Sequence, residues 1–149
     1  MLLEIFQALA EQIDDNITMW DDWELHVEPT PFPIAESPNI NMFPGDASGS
    51  DGTAGFVDLY GGVPISITFR VPSADLTAAT AMALAFMDAD GDLSILAAID
   101  ADRTLGGVVD SIGWDEWPWS RYLDFPVPDG DGILLGSALN IVVLPKAST

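Results

Sequence analysis

Apolar and polar positions alternate with two different periods along this chain, and the change of period divides it into elements. Leu2, Phe6, Leu9, Ile13 and Ile17 recur at helical spacing, with Glu4, Gln7, Glu11 and Asp15 between them, so residues 2–17 read as an amphipathic helix. In "WELHVE", Trp23, Leu25 and Val27 alternate with Glu24, His26 and Glu28, the period of a strand with one wet face. "PISITFRV" is the clearest strand: Ile65, Ile67, Phe69 and Val71 share one side, and Ser66, Thr68 and Arg70 the other. Ser73 then reads as a helix cap, with Asp75 in the first turn, where the helix dipole favours an anion. That helix runs to about Met87 on a buried stripe of Leu76, Ala79, Ala83 and Phe86. Asp92 reads as the cap of a short helix over 93–101. Strands follow at about 107–114, 122–127 and 133–144, with Asp129-Gly130 and Asp131-Gly132 marking a hairpin between the last two.

Between Pro29 and Gly62 the chain changes character. Five prolines and the stretch "GDASGSDGTAG" make a long loop or arm with at most two short strands, near 39–43 and 55–60. A loop of this length in a compact domain is usually functional. No βαβα alternation appears. The fold class is therefore α+β, a mostly antiparallel sheet flanked by an N-terminal helix, a central helix and a short helix. With 149 residues the chain suits one domain spanning 1–149.

Composition narrows the function classes. There are 24 acidic residues, 18 of them Asp, against 4 basic, for a net charge of −20. Such a surface repels phosphate backbones and anionic membranes, so tight nucleic-acid or membrane binding is disfavoured. An Asp-rich chain with one lysine, Lys146, also suits a salt-loving host. No cysteine is present, which removes thiol catalysis, disulfides and zinc–thiolate sites. No apolar run approaches the ~20 residues that span a bilayer. The start, "MLLEIFQALAEQ", lacks the positive opening of a signal peptide, so a soluble protein made without a secretion signal is expected.

The aspartate runs invite a calcium reading and do not sustain it. With Asp88, Asp90 and Asp92 as ligands 1, 3 and 5 of an EF-hand loop, position 6 is Leu93 rather than Gly and position 12 is Ile99 rather than Glu. Asp90-Gly91 instead ends one helix, with Gly91 left-handed, and Asp92 opens the next. No metal or cofactor is expected. Catalysis gains no foothold: His26 is the only histidine and lies between Glu24 and Glu28, and no G-x-S-x-G elbow exists. Carboxylate-pair hydrolysis stays open, but 24 acids make any chosen pair uninformative. Gly49, Gly52 and Gly55 form neither a dinucleotide fingerprint nor a P-loop.

"GWDEWPWSRY" places Trp114, Trp117, Trp119 and Tyr122 within nine residues. If this stretch is extended, Trp117 and Trp119 share one face and Trp114 takes the other, so at most one face packs inward and some tryptophan is exposed or meets a partner. Core packing, a protein interface and a sugar platform all remain open for it. Phe43 and Tyr60, in the long loop, join these aromatics as interface candidates.

At "IDADRTLGGVVDSIGW" the chain resembles the tail terminator, or tail completion, proteins of bacteriophages with long non-contractile tails. Asp102, Thr104, Leu105, Gly106 and Gly107 carry the match. "PISITFRVPSADLTAA" is similar to the family's central strand and following helix, and the N-terminal helix and closing "ALNIVVLP" fall in the expected order. The resemblance implies a virion protein without catalytic activity: a homo-hexameric ring, assembled in the host cytoplasm, at the tail–neck junction. Its partners would be the tail tube protein, whose polymerisation it ends, and the head-completion or neck protein. Genome DNA would pass through the lumen without specific binding, past carboxylates that repel phosphate. Alternatives are another neck or head-closure component, a tryptophan-based ligand or carbohydrate module, and an acidic DNA mimic. The insert at 29–62 is longer than that family leads one to expect.

Overall fold

The computed structural model describes residues 2–20, 23–30, 38–45, 62–72, 76–120, 123–126 and 133–146. The elements are α1 (Leu2–Asn16), β1 (His26–Glu28), β2 (Asn39–Pro44), β3 (Val63–Pro72), α2 (Leu76–Met87), α3 (Ile95–Asp100), β4 (Val109–Gly113), β5 (Leu123–Pro126) and β6 (Ile133–Pro145). The class is α+β, as the chain's periodicities predict. The strands form one sheet in the order β1-β2-β3-β6-β4, with β5 also on β6. Every pairing is antiparallel except the three-residue one between β1 and β2.

The long β3–β6 pair, in register from Val63↔Val143 to Pro72↔Leu134, is the spine. The far edge of β6 is taken up in succession by β4, by a single bridge at Trp119↔Leu139, and by β5. β5 and β6 pair from Leu123↔Gly136 to Pro126↔Ile133, while the expected Asp-Gly hairpin joining them lies outside the described residues.

The alternation in β3 is obeyed: Ile65, Ile67, Phe69 and Val71 are buried, and Ser66, Thr68 and Arg70 are half-buried. The inner face meets helices. α1 contributes Ile5, Phe6, Leu9, Ala10 and Ile13; α2 contributes Ala79, Met82, Ala83 and Phe86; α3 contributes Ile95, Ala98 and Ile99. Alanine at 79 and 83 lets α2 approach β3 closely enough for Phe69 to meet Phe86, ring centroids 5.3 Å apart. Trp119 stands edge-on to Phe69 at 5.5 Å. Each fully buried large side chain here contributes roughly 2 kcal/mol.

The short strand expected near 39–43 is β2: it sits between β1 and β3, with Asn39 to Met42 fully buried, because an inner strand pairs on both sides and is covered on both faces. Two expectations need correction. The strand expected over 23–28 shrinks to His26–Glu28, although Trp23, Leu25 and Val27 do pack on the core; Trp23 N–H closes a turn onto Trp20 instead of joining a ladder. The cap of α3 is Ser94 rather than Asp92. Ser94 is extended, and its hydroxyl accepts from Ala97 N–H at 3.0 Å, while Leu93 is drawn into the core between the two cap candidates. Gly91 does take positive φ, +104°, four residues beyond the end of α2. Ser73, Asp75 and the possible strand at 55–60 lie outside the described residues.

The sheet's second face is polar near β2. Arg70 donates through Nε to Asn39 Oδ1 at 3.0 Å and through a terminal nitrogen to Asn41 Oδ1 at 2.8 Å. Asn41 in turn donates to the carbonyl of Thr30 at 2.9 Å. Burial pulls the Arg70 guanidinium below its ordinary pKa, and the two amide acceptors replace part of the water it loses.

Candidate functional site

The motif turn after α3 is a self-contained clamp. Asp102 Oδ1 accepts from Thr104 N–H at 3.0 Å and from the Thr104 hydroxyl at 2.6 Å, while Oδ2 accepts from Gly106 N–H at 2.8 Å. These three donors, the Thr104 hydroxyl first, hold the Asp102 carboxyl below its ordinary pKa. The backbone then runs left-handed through Leu105, Gly106 and Gly107, at φ of 51°, 69° and 92°. Two glycines accept this conformation at little cost; Leu105 takes it because its side chain is buried in the core. The Gly107 and Val109 amides both donate to Thr104 O, at 3.0 and 3.1 Å, and so feed the chain into β4.

Beside the turn, Arg103 bonds Asp100 at 2.6 Å, donates to Ile112 O at 3.2 Å, and lies 4.0 Å over the Trp114 ring. α1 is tied to the same corner by Gln12 Nε2, which donates to Ala98 O at 3.0 Å. A hollow of about 280 Å³ here is edged by Glu11, Asp15 and Asp102. Among the described residues, no group of three metal-ligating side chains is placed to hold an ion.

The tryptophans separate differently from the extended-strand expectation. Trp117 and Trp119 do not share a face: Trp119 is 5% exposed and Trp117 69%. The chain bends at 116–117, and Pro118, which has no N–H, precedes a bridge in which Ser120 N–H donates to Ala138 O and Asn140 N–H to Pro118 O. The bridge turns Trp119 inward beside Leu139 and Phe69 and leaves Trp117 outside. Trp114 is half-buried under Arg103. Phe43 sits opposite Ser66, on the face of the sheet away from Trp119, so the two belong to different surfaces. Tyr60 and Tyr122 lie outside the described residues. His26 lies in β1, opposite Asn39.

Between α2 and residues 116–120 runs a groove of about 720 Å³. Thr80, Leu84 and Met87, one face of α2, form one wall, with Leu96 of α3 beside them; Trp117 and Trp119 form the other. Leu84 is 56% exposed. The Trp119 indole N–H is buried and meets no acceptor among the described residues. Asp88 and Glu116, both exposed, stand at the rim. Thr80, Leu84 and Met87 were not singled out from sequence, and Leu84, apolar but off the buried stripe of α2, was the available signal.

The fold and these two features define an α+β protein with helices on the inner face of its sheet, a clamped helix–turn–strand corner and an open apolar groove. Compared with protein-family models and with curated proteins, the chain matches none.

Proposed function

We propose that this protein is a structural virion component of the tail-terminator kind: a ring, six-fold by the resemblance, that caps a phage tail tube, ends its polymerisation and joins the tail to the neck. The observation that carries the reading is the corner at 95–113. A short helix, an Asp102-clamped Thr104-Leu105-Gly106-Gly107 turn and a strand follow one another in the order the resemblance implies. The order of the remaining elements supports it too, with α1 first, β3 leading to α2, and β6 closing the chain. No chemistry is assigned to the corner, whose carboxylate is occupied by donors from its own turn.

The surface charge suits a lumen that DNA traverses, since carboxylates repel phosphate and discourage sticking. Light scattering on a sizing column, with negative-stain images, tests the reading across a salt series. At −20 per subunit, self-repulsion is screened over ~8 Å at physiological ionic strength and ~3 Å at 1 M, so ring formation should rise with salt. Six-fold rings, or six-fold caps on the ends of added tail tubes, are the expected result. A monomer at every salt that also leaves tube ends bare overturns it.

A further inference from the structure

We propose that the groove between α2 and residues 116–120 is the docking site for a segment of another protein, apolar at its centre and basic at its flanks. This goes beyond the ring reading and does not depend on it. Three observations converge on one occupant. The walls are apolar where they stay open to solvent: Leu84 is 56% and Trp117 69% exposed, on opposite sides of a cleft that Met87 and Leu96 also line. A volume of about 720 Å³ lies within the range of built ligand pockets, and it accommodates a few large side chains.

The second observation is the Trp119 indole. It belongs to the wall, and its buried N–H lacks an acceptor among the described residues. Buried donors are nearly always satisfied. A peptide carbonyl is an acceptor of the right kind once the Trp119 ring shifts to meet it, and an apolar side chain carried beside it covers Leu84 and Trp117.

Charge is the third. Asp88 stands on one rim and Glu116 on the other; Asp90, Asp92 and Asp115 follow in the flanking segments, and no cationic side chain lines the groove among the described residues. Arg103 is engaged with Asp100 and Trp114, and Arg121, two residues beyond Trp119, lies outside the described residues. Lysine or arginine on both sides of the apolar centre complements these rims. A second copy of the chain offers few such segments, since only 4 of its 149 residues are lysine or arginine.

The test is a fluorescence-anisotropy titration of the full chain with a labelled peptide of central leucines flanked by lysines. Saturable binding is expected. It should weaken by about tenfold with Trp117→Ala and with Leu84→Ser, the loss typical of an anchor at an interface centre. Both side chains are exposed, so thermal unfolding by circular dichroism should stay unchanged and separate lost binding from lost fold. The double reversal Asp88→Lys, Glu116→Lys should transfer the preference to a peptide with glutamate flanks.

Equal binding of a lysine-flanked peptide whose leucines are serines would reduce the effect to charge capture and overturn the proposal. So would an unchanged affinity in Trp117→Ala, or no binding at millimolar peptide. If Trp117→Ala instead dissociates a self-assembled oligomer, the groove belongs to a second copy. If a saccharide panel binds where the peptide does not, it belongs to a sugar. Either result overturns the proposal, and neither bears on whether rings form through other surfaces.

Discussion

Replacing Ser94 by alanine should destabilise the protein far more than replacing Asp92, although both residues are of the kind that cap helices. Ser94 makes two bonds. Its oxygen accepts from Ala97 N–H at 3.0 Å, the cap itself, and its hydroxyl donates to Asp88 O at 2.7 Å, which pins the acidic loop back onto α3. Loss of a cap costs about 1 kcal/mol. Loss of a further hydrogen bond costs about 1 kcal/mol more. Ser94 is 1% exposed, so water cannot stand in for either, and alanine, being smaller by only the hydroxyl, adds little cavity. The total of about 2 kcal/mol corresponds to about 6 °C in melting temperature for a chain of this size. Asp92 is exposed, and its backbone carbonyl, accepting from Thr18 N–H at 3.0 Å, survives the substitution; Asp92→Ala should stay within about 0.5 kcal/mol. Urea titrations of the three proteins followed at 222 nm, with equal slopes, give the comparison directly. An Asp92→Ala loss equal to or greater than that of Ser94→Ala would refute the assignment of the cap.

Asp102→Asn should show its effect through pH. The folded carboxyl is held below its ordinary value by Thr104 and Gly106, so its contribution is present above the unfolded pKa and is lost as pH falls through the folded one. The stability gap between wild type and variant should therefore be open at pH 6 and close as the pH drops below about 4; a gap of constant size would refute the clamp. Two glycine substitutions should differ in kind. A Cβ at Gly45 would lie 2.9 Å from Ile65 N and from Pro64 C, backbone atoms of β3 that cannot swing aside, so Gly45→Ala should cost about 2 kcal/mol or more. At Gly106, φ is +69° but nothing lies within 4 Å, so Gly106→Ala should cost only the left-handed penalty of about 1 kcal/mol. Denaturant midpoints in the reverse order would refute this reading.

What the sequence disclosed followed from whether a local period matched the environment. β3 could be read because one of its faces is dry and the other is not, and α1 because a single stripe of it is buried. β2 could be read only as a short strand near 39–43 within a Pro- and Gly-rich stretch, and not as an inner strand of the sheet, because prolines flank it and a strand buried on both faces shows no dry-and-wet alternation: Asn39 and Asn41 are as buried as Ile40 and Met42. Their polarity is answered by Arg70, 31 and 29 residues away, which no local pattern announces. The cap was displaced by two residues because Leu93 is claimed by the core. The split of Trp117 from Trp119 depends on a bridge to Leu139, and the groove on α2 meeting a segment some thirty residues later. These are tertiary facts. The aromatic cluster could be seen in the sequence, but not which ring would stay outside.

The two conspicuous features differ in what they leave unsatisfied. In the Asp102 turn, both carboxylate oxygens accept from the turn itself, Leu105 is buried, and the left-handed residues are mostly glycines that carry no strain. A feature that spends its hydrogen bonds internally has little to offer a partner; it fixes the angle at which α3 hands the chain to β4. The groove is the opposite. It keeps two large apolar side chains in water and carboxylates at its rims, and Trp119, which lines it, has a buried N–H without an acceptor among the described residues. Motif and interaction surface are thus separate parts of the molecule. The corner carries the resemblance on which the ring reading rests, and the groove carries a binding reading that needs no relative. Substitutions at Asp102 should act through stability and those at Trp117 through affinity, so either reading can fail without taking the other with it.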